Sequence, residues 1–190
     1  MTGDLFYFIA ALPSLRWGER PPCTSASFLE KCREEFGAQA CRCLEGLTLV
    51  PDTTRPPATR IQAEWMDFEV FTRNTVADIR RMKLRRQGGP QQKRPTGILS
   101  PAWTKRIEEI MAMPSPAERE NALDKFRWAY LEDLSSAHYF DFSLLELYLL
   151  KLLLLEKQAS RNMEAGRKAF DSIMEKGLAG AEDARKDAQT

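Results

Sequence analysis

Phe142 to Glu156 reads FSLLELYLLKLLLLE, and ten of the twelve residues from Leu144 to Leu155 are Leu or Tyr, with Glu146 and Lys151 as the interruptions. The run falls short of the roughly 20 apolar residues that a membrane-spanning helix requires, and it carries charge. Leu, Glu and Lys all favour helix, and apolar side chains cover nearly the whole circumference. A helix of that kind must be buried on several sides. Asp141 or Ser143 is placed to cap its start, and Ser143 with Glu146 has the spacing of a capping box. The run therefore predicts one long central helix against which the rest of the chain packs. Most helices of this kind are simply domain cores; the alternative is a surface that a partner subunit covers, because ten large residues in twelve are many for a small bundle to bury alone. Beyond Glu156 the pattern becomes amphipathic through Met163, Ala169, Phe170 and Ile173 and fades into a polar tail at 179–190.

The other segments read as helices as well. Thr24 or Ser25 opens a helix through Phe36, Gly37 is placed to end it, and a short helix from Ala38 to Leu44 stops at Gly46. From Ile61 to about Gln87, Trp65, Phe68, Phe71, Val76, Ile79 and Met82 recur at helical spacing. Gly88-Gly89-Pro90 breaks that helix, and 88–100 reads as a flexible loop. Ser100-Pro101 begins the next helix, with Trp103, Ile107, Ile110 and Met111 on one face. Ser115-Pro116-Ala117-Glu118 combines a cap, Pro at the first helical position and Glu three residues after the cap. That helix runs to about Leu134 with Leu123, Phe126, Tyr130 and Leu134 inward. Residues 5–12 (LFYFIAAL) fit a short buried strand and a helical turn equally well. The expectation is an all-α protein, an antiparallel helical bundle around the leucine-rich helix, in a single domain over 1–178.

A chain of 190 residues is long enough for one real core. Its 28 Lys and Arg against 27 Asp and Glu exclude a globally basic or acidic molecule. No basic leader precedes the apolar run at 5–12, so a soluble, cytoplasmic location is expected, with peripheral membrane association through a complex as the variant. Cysteines 23, 32, 41 and 43 match no usual zinc spacing and read as reduced, partly buried thiols. His138, the one histidine, precedes Asp141 by three residues. That pair could serve in acid–base chemistry, but it suits closing a turn better. Phosphate-loop, dinucleotide, nucleophile-elbow and zinc-protease motifs are lacking, and neither an enzyme nor a cofactor or metal is expected.

Charge is unevenly distributed. Nine Lys or Arg and no acidic residue lie between Ile79 and Ile107: Arg80, Arg81, Lys83, Arg85, Arg86, Lys93, Arg94, Lys105 and Arg106. Such a segment suits an acidic partner, anionic headgroups or the phosphates of nucleic acid. It also suits a solvated helix end, where cations complement the dipole. The lack of aromatic residues between Phe71 and Trp103 argues against stacking of single-stranded bases.

Three blocks carry a resemblance. LFYFIAALPSLRWGERPPCTSASFLEKCREEF, FEVFTRNTVADIRRMKLRR and ENALDKFRWAYLEDLSSAHYFDFSLLELYLLKLLLLEK are similar to a family of small, uncharacterised bacterial proteins encoded beside subunits of V/A-type rotary ATPases. More distantly, the acidic-aromatic turn leading into a leucine-rich helix resembles the stalk-seating subunit of those ATPases, the helical protein that fixes the central stalk on the membrane rotor ring. This chain is shorter than the stalk-seating subunit and shows no sign of its repeated bundles. The resemblance implies a non-catalytic subunit or accessory whose partners are central-stalk and rotor-ring subunits. On residue type, the basic segment 80–94 and Trp17, Arg127, Trp128 and Tyr139 are the candidate contacts, since Trp, Tyr and Arg dominate interfaces. The competing readings are a nucleic-acid-binding protein using 79–106 and a general helical adaptor.

Overall fold

A computed structural model describes residues 2–84 and 101–161. Six helices, and no strand, occur among the described residues: α1 (Thr2–Ala11), α2 (Ser25–Glu45), α3 (Arg60–Lys83), α4 (Pro101–Ala112), α5 (Pro116–Ser135) and α6 (Phe142–Ser160). The all-α expectation holds, and the ambiguous apolar run at 5–12 is helix as far as Ala11. The polar tail and the loop at 88–100 lie outside the described residues. The chain divides into a body spanning Met1–Glu156 and a second unit from Lys157 onward. The core and the candidate contact residues belong to the first.

The predicted starts are capped as their chemistry requires. Thr24 and Ser115 accept from the backbone N–H groups of Ser27 and Glu118, and Thr59 accepts from that of Gln62. Gly37 interrupts α2 with φ +81° and ψ 158°, a conformation open almost only to glycine. The helix that opens at Ser25 therefore ends at Gly37 and a second follows it, so the two helices expected on either side of this glycine are both present, joined at a kink. At α6, Asp141 supplies the cap, its Oδ1 accepting from Leu144 N at 3.1 Å. The Ser143–Glu146 capping box does not form, because Glu146 is turned toward α3 and accepts from Thr59 Oγ1 at 2.7 Å.

Paired side chains give the directions of the helices. Against α5, α3 runs antiparallel: the Tyr130 hydroxyl donates to the Glu64 carbonyl and Arg127 reaches Glu69. Against α4, α3 runs in the same direction, since Phe68 meets Trp103 at 5.5 Å between ring centroids and Lys83 donates to the Met111 carbonyl at 2.8 Å. Segment 84–100 separates these two helices, and only the short-linked pairs α4–α5 and α5–α6 are bound to reverse direction. The first half of α2 lies antiparallel to α6, with Phe36 beside Phe142 and Phe28 beside Tyr148.

α6 sits in the main core. Leu145, Leu147, Leu149, Leu150, Leu152, Leu154 and Leu155 are each no more than 1% exposed, packed with Phe28, Leu44, Trp65, Phe68 and Leu131. The leucine run is therefore domain core, covered by the chain's own helices, and not a surface left for a partner. A smaller core of Val76, Ile79, Ile107, Ile110, Met111 and Leu123 closes the far end of α3, α4 and α5. Phe126 packs against both cores, and Phe68 stacks on Tyr130 at 3.9 Å and 3°.

Candidate interaction surface

The residues selected from sequence fall into three environments. Arg127 and Trp128 are interior, 9% and 4% exposed, which corrects their expected role as surface anchors. Arg127 is a fork between two buried carboxylates: Nε and Nη2 donate to Glu69 at 2.5 and 3.2 Å, and Nη1 donates to Asp124 at 2.9 Å. Arg73 adds a second donor to Glu69 at 3.1 Å. Two arginines thus face two carboxylates and join α3 to α5. Burial acts to lower the pKa of the Arg127 guanidinium, but Glu69 and Asp124 outweigh it and raise the pKa. Trp17 is half-buried and rests on Trp128 with ring centroids 5.7 Å apart. Surface position cannot be read from residue type: a planar cation and an indole serve an interior carboxylate cluster as well as an interface.

The basic segment is brought only partly onto one surface. Arg80 is exposed, Arg81 is ion-paired with Asp78, and Lys83 is tied to α4 through Met111. Arg106 pairs with Glu109 at 3.1 Å. Arg85, Arg86, Lys93 and Arg94 lie outside the described residues. Phe71 and Trp103, the aromatic residues flanking the segment, are half-buried against each other at 6.2 Å, so their faces are engaged within the body.

Tyr139 is 78% exposed at the turn between α5 and α6. Phe140 beside it is 48% exposed with φ +38°, a left-handed conformation that a phenylalanine adopts only when its surroundings hold it there. Its ring lies 4.3 Å from that of Phe6 on α1, which is 44% exposed, and Tyr7 is 73% exposed with its ring 5.5 Å from Phe6. α1 buries Leu5, Phe8 and Ile9 in part against the main core, as Leu12 just after it does, which turns Phe6 and Tyr7 outward. No local signal joins residues 6–7 to 139–140, because the pairing is set by how α1 docks. Phe6, Tyr7, Tyr139 and Phe140 form an exposed aromatic surface, of a kind that marks protein contact.

Under that turn, His138 Nδ1 lies 2.7 Å from Asp141 Oδ2, closing the chain between α5 and α6. Buried Glu146, bonded to Thr59, has a raised pKa, first because of burial and then because of Asp141, while Thr59 and His138 oppose the shift. The four cysteines are free thiols, two of them buried; burial pushes Cys32 up to about 12 and raises Cys41 and Cys43. Among the described residues no group of three or more His, Cys, Asp and Glu is placed to hold a metal ion, and no helix is long and apolar enough to cross a membrane.

No curated protein and no solved structure is significantly similar to the chain. Residues 104–180, from the first turn of α4 through α5 and α6 and beyond, match a family described as protein of unknown function (DUF2764), so that the central leucine-rich helix and the aromatic turn before it both fall inside a domain of that uncharacterised family.

Proposed function

We propose that the chain is a non-catalytic subunit or accessory of a bacterial V/A-type rotary ATPase, in the place of the stalk-seating subunit between central stalk and rotor ring. The observation that carries this reading is the exposed surface of Phe6, Tyr7, Tyr139 and Phe140. It is built on the His138–Asp141 turn, the part of the sequence that bears the resemblance to the stalk-seating subunit, and on α1, which bears the resemblance to the ATPase-linked family. Such a protein works by passing force between partners without making bonds. That role needs a stiff body, and a central helix buried on all sides with both ends tied to other helices supplies one. It also needs adhesive surface at a helix end, which the aromatic turn provides.

The test is recovery of the tagged protein from its own cells in mild detergent, with partners identified by mass spectrometry. The expected result is stalk and rotor-ring subunits in fixed ratio, lost when Phe6, Tyr7 and Tyr139 are all changed to Ser. Recovery of nucleic acid instead, with binding that falls steeply as salt is raised, would transfer the function to the basic segment. Recovery of unrelated proteins with no ATPase subunit would leave a general helical adaptor.

A further inference from the structure

A cleft of about 210 Å³ lies between the end of α1, the segment that follows it, the end of α5 and the first half of α6. Its walls include Ile9, Leu12, Leu15 and Leu144, all half-buried. Its volume exceeds the roughly 150 Å³ of an apolar cavity able to admit benzene. Two hydroxyls in the lining are already committed: Tyr148 donates to the Pro13 carbonyl at 3.1 Å and Ser135 to the Leu131 carbonyl at 2.6 Å. Lys151 is different. It is the second charged interruption of the leucine run, it is half-buried, and it has no carboxylate at ion-pairing distance among the described residues. Its ammonium stands 5.6 Å from the centroid of the Trp128 ring, and Glu132 acts on it from beyond ion-pairing distance. Burial lowers the pKa of this amine, with Glu132 opposing, so an anion beside it would offset a cost that the fold now bears.

We propose that this cleft binds a small monocarboxylate with an apolar chain, the carboxylate on Lys151 Nζ and the chain against Ile9, Leu12, Leu15 and Leu144. The lining holds one cation and no arginine fork, and Glu132 nearby disfavours a second negative charge, so a monoanion fits better than a phosphate. At about 30 Å³ for each water-sized group, the volume takes about seven such groups, the size of an acid of five or six carbons. The site is separate from the aromatic surface and does not depend on the ATPase reading.

The test titrates the full chain with hexanoate, 1-hexanol and hexylamine at pH 7, followed by calorimetry and by amide chemical shifts. Hexanoate is expected to bind at least tenfold more tightly than hexanol, with shifts centred on Leu12, Leu15, Leu144 and Lys151, and hexylamine is expected not to bind. Lys151→Met should reverse the preference toward hexanol, whereas Lys151→Arg should retain hexanoate. Unchanged thermal unfolding of both variants guards against loss of the fold. Equal binding of hexanoate and hexanol, undiminished hexanoate binding by Lys151→Met, or no binding by the wild type at millimolar ligand would each overturn the proposal.

Discussion

Glu146, the first charged break in the leucine run, accepts a 2.7 Å hydrogen bond from Thr59, whose own hydroxyl caps the start of α3. A single threonine thus links the interior of α6 to the N-terminus of another helix. Glu156, ten residues along α6, does the same for α2: its two carboxylate oxygens accept from Ser25 N at 2.6 Å and Ser25 Oγ at 2.7 Å. Both glutamates face positive helix ends, where a carboxylate is favoured.

The cost of burying Glu146 should appear as a pH dependence. Its folded-state pKa is raised, mainly by burial. The folded protein therefore holds a proton that the unfolded chain releases at an ordinary glutamate pKa of about 4.3. In the window from that value up to the raised folded-state pKa, stability falls as pH rises. Glu146→Gln keeps an acceptor for Thr59 but removes the titration. Urea unfolding from pH 4 to pH 7 should show the wild type losing stability relative to this variant as pH rises. A constant difference across the range would mean that folding does not shift the Glu146 pKa.

Arg127 should matter for stability rather than for partners. Arg127→Met removes the cation that Glu69 and Asp124 share, leaving Glu69 to Arg73 and taking Arg127 from Asp124, which should cost about 3–5 kcal/mol. Adding Glu69→Leu should recover part of that loss, because it removes the excess of buried negative charge that Arg127 had balanced. A double-mutant cycle on urea unfolding measures the coupling. Strict additivity would show that the two side chains do not act as a unit.

The helices of this fold were legible in the sequence because their caps and periodicities are local. Ser115-Pro116, Thr24 and Gly37 all act where their chemistry said they would. What could not be read was anything decided by helices meeting. Arg127 and Trp128 looked like surface anchors because nothing adjacent in sequence announces Glu69, which is 58 residues away. The direction of α4 along α3 depends on the 84–100 connection, whose composition gives no orientation. The aromatic surface needed α1 to dock beside the 139–140 turn, and the run LFYFIAAL left even its helicity open. Glu146 and Lys151 stood out from their neighbours, but their partners, Thr59 and Trp128, come from other parts of the chain.

Gly37 should tolerate no side chain without cost. A Cβ there would meet nothing within 4 Å, so space is not the obstacle; the obstacle is φ +81° with ψ 158°. Gly37→Ala should destabilise the protein by about 1–3 kcal/mol, the usual strain for such backbone in a non-glycine residue. If Gly37→Ala were neutral in thermal unfolding, α2 would have to be able to straighten through this position.

Glu156 should anchor α2 more strongly than an ordinary surface carboxylate. It satisfies a backbone donor and a hydroxyl in the first turn of α2, two bonds at 2.6 and 2.7 Å, from the far end of the helix that Glu146 fixes at its beginning. Truncation by Glu156→Ala leaves both donors to water and removes the charge from the helix end. The loss should be about 1–3 kcal/mol, as for hydrogen bonds to a charged group. Ser25→Ala should cost less, because the backbone N–H of residue 25 still reaches the carboxylate. Hydrogen exchange separates this from a general loss of stability: Glu156→Ala should raise exchange in the first half of α2, before Gly37, well above any change in α4. Equal rises in both helices would mean that Glu156 supports the body as a whole and does not hold α2 in particular.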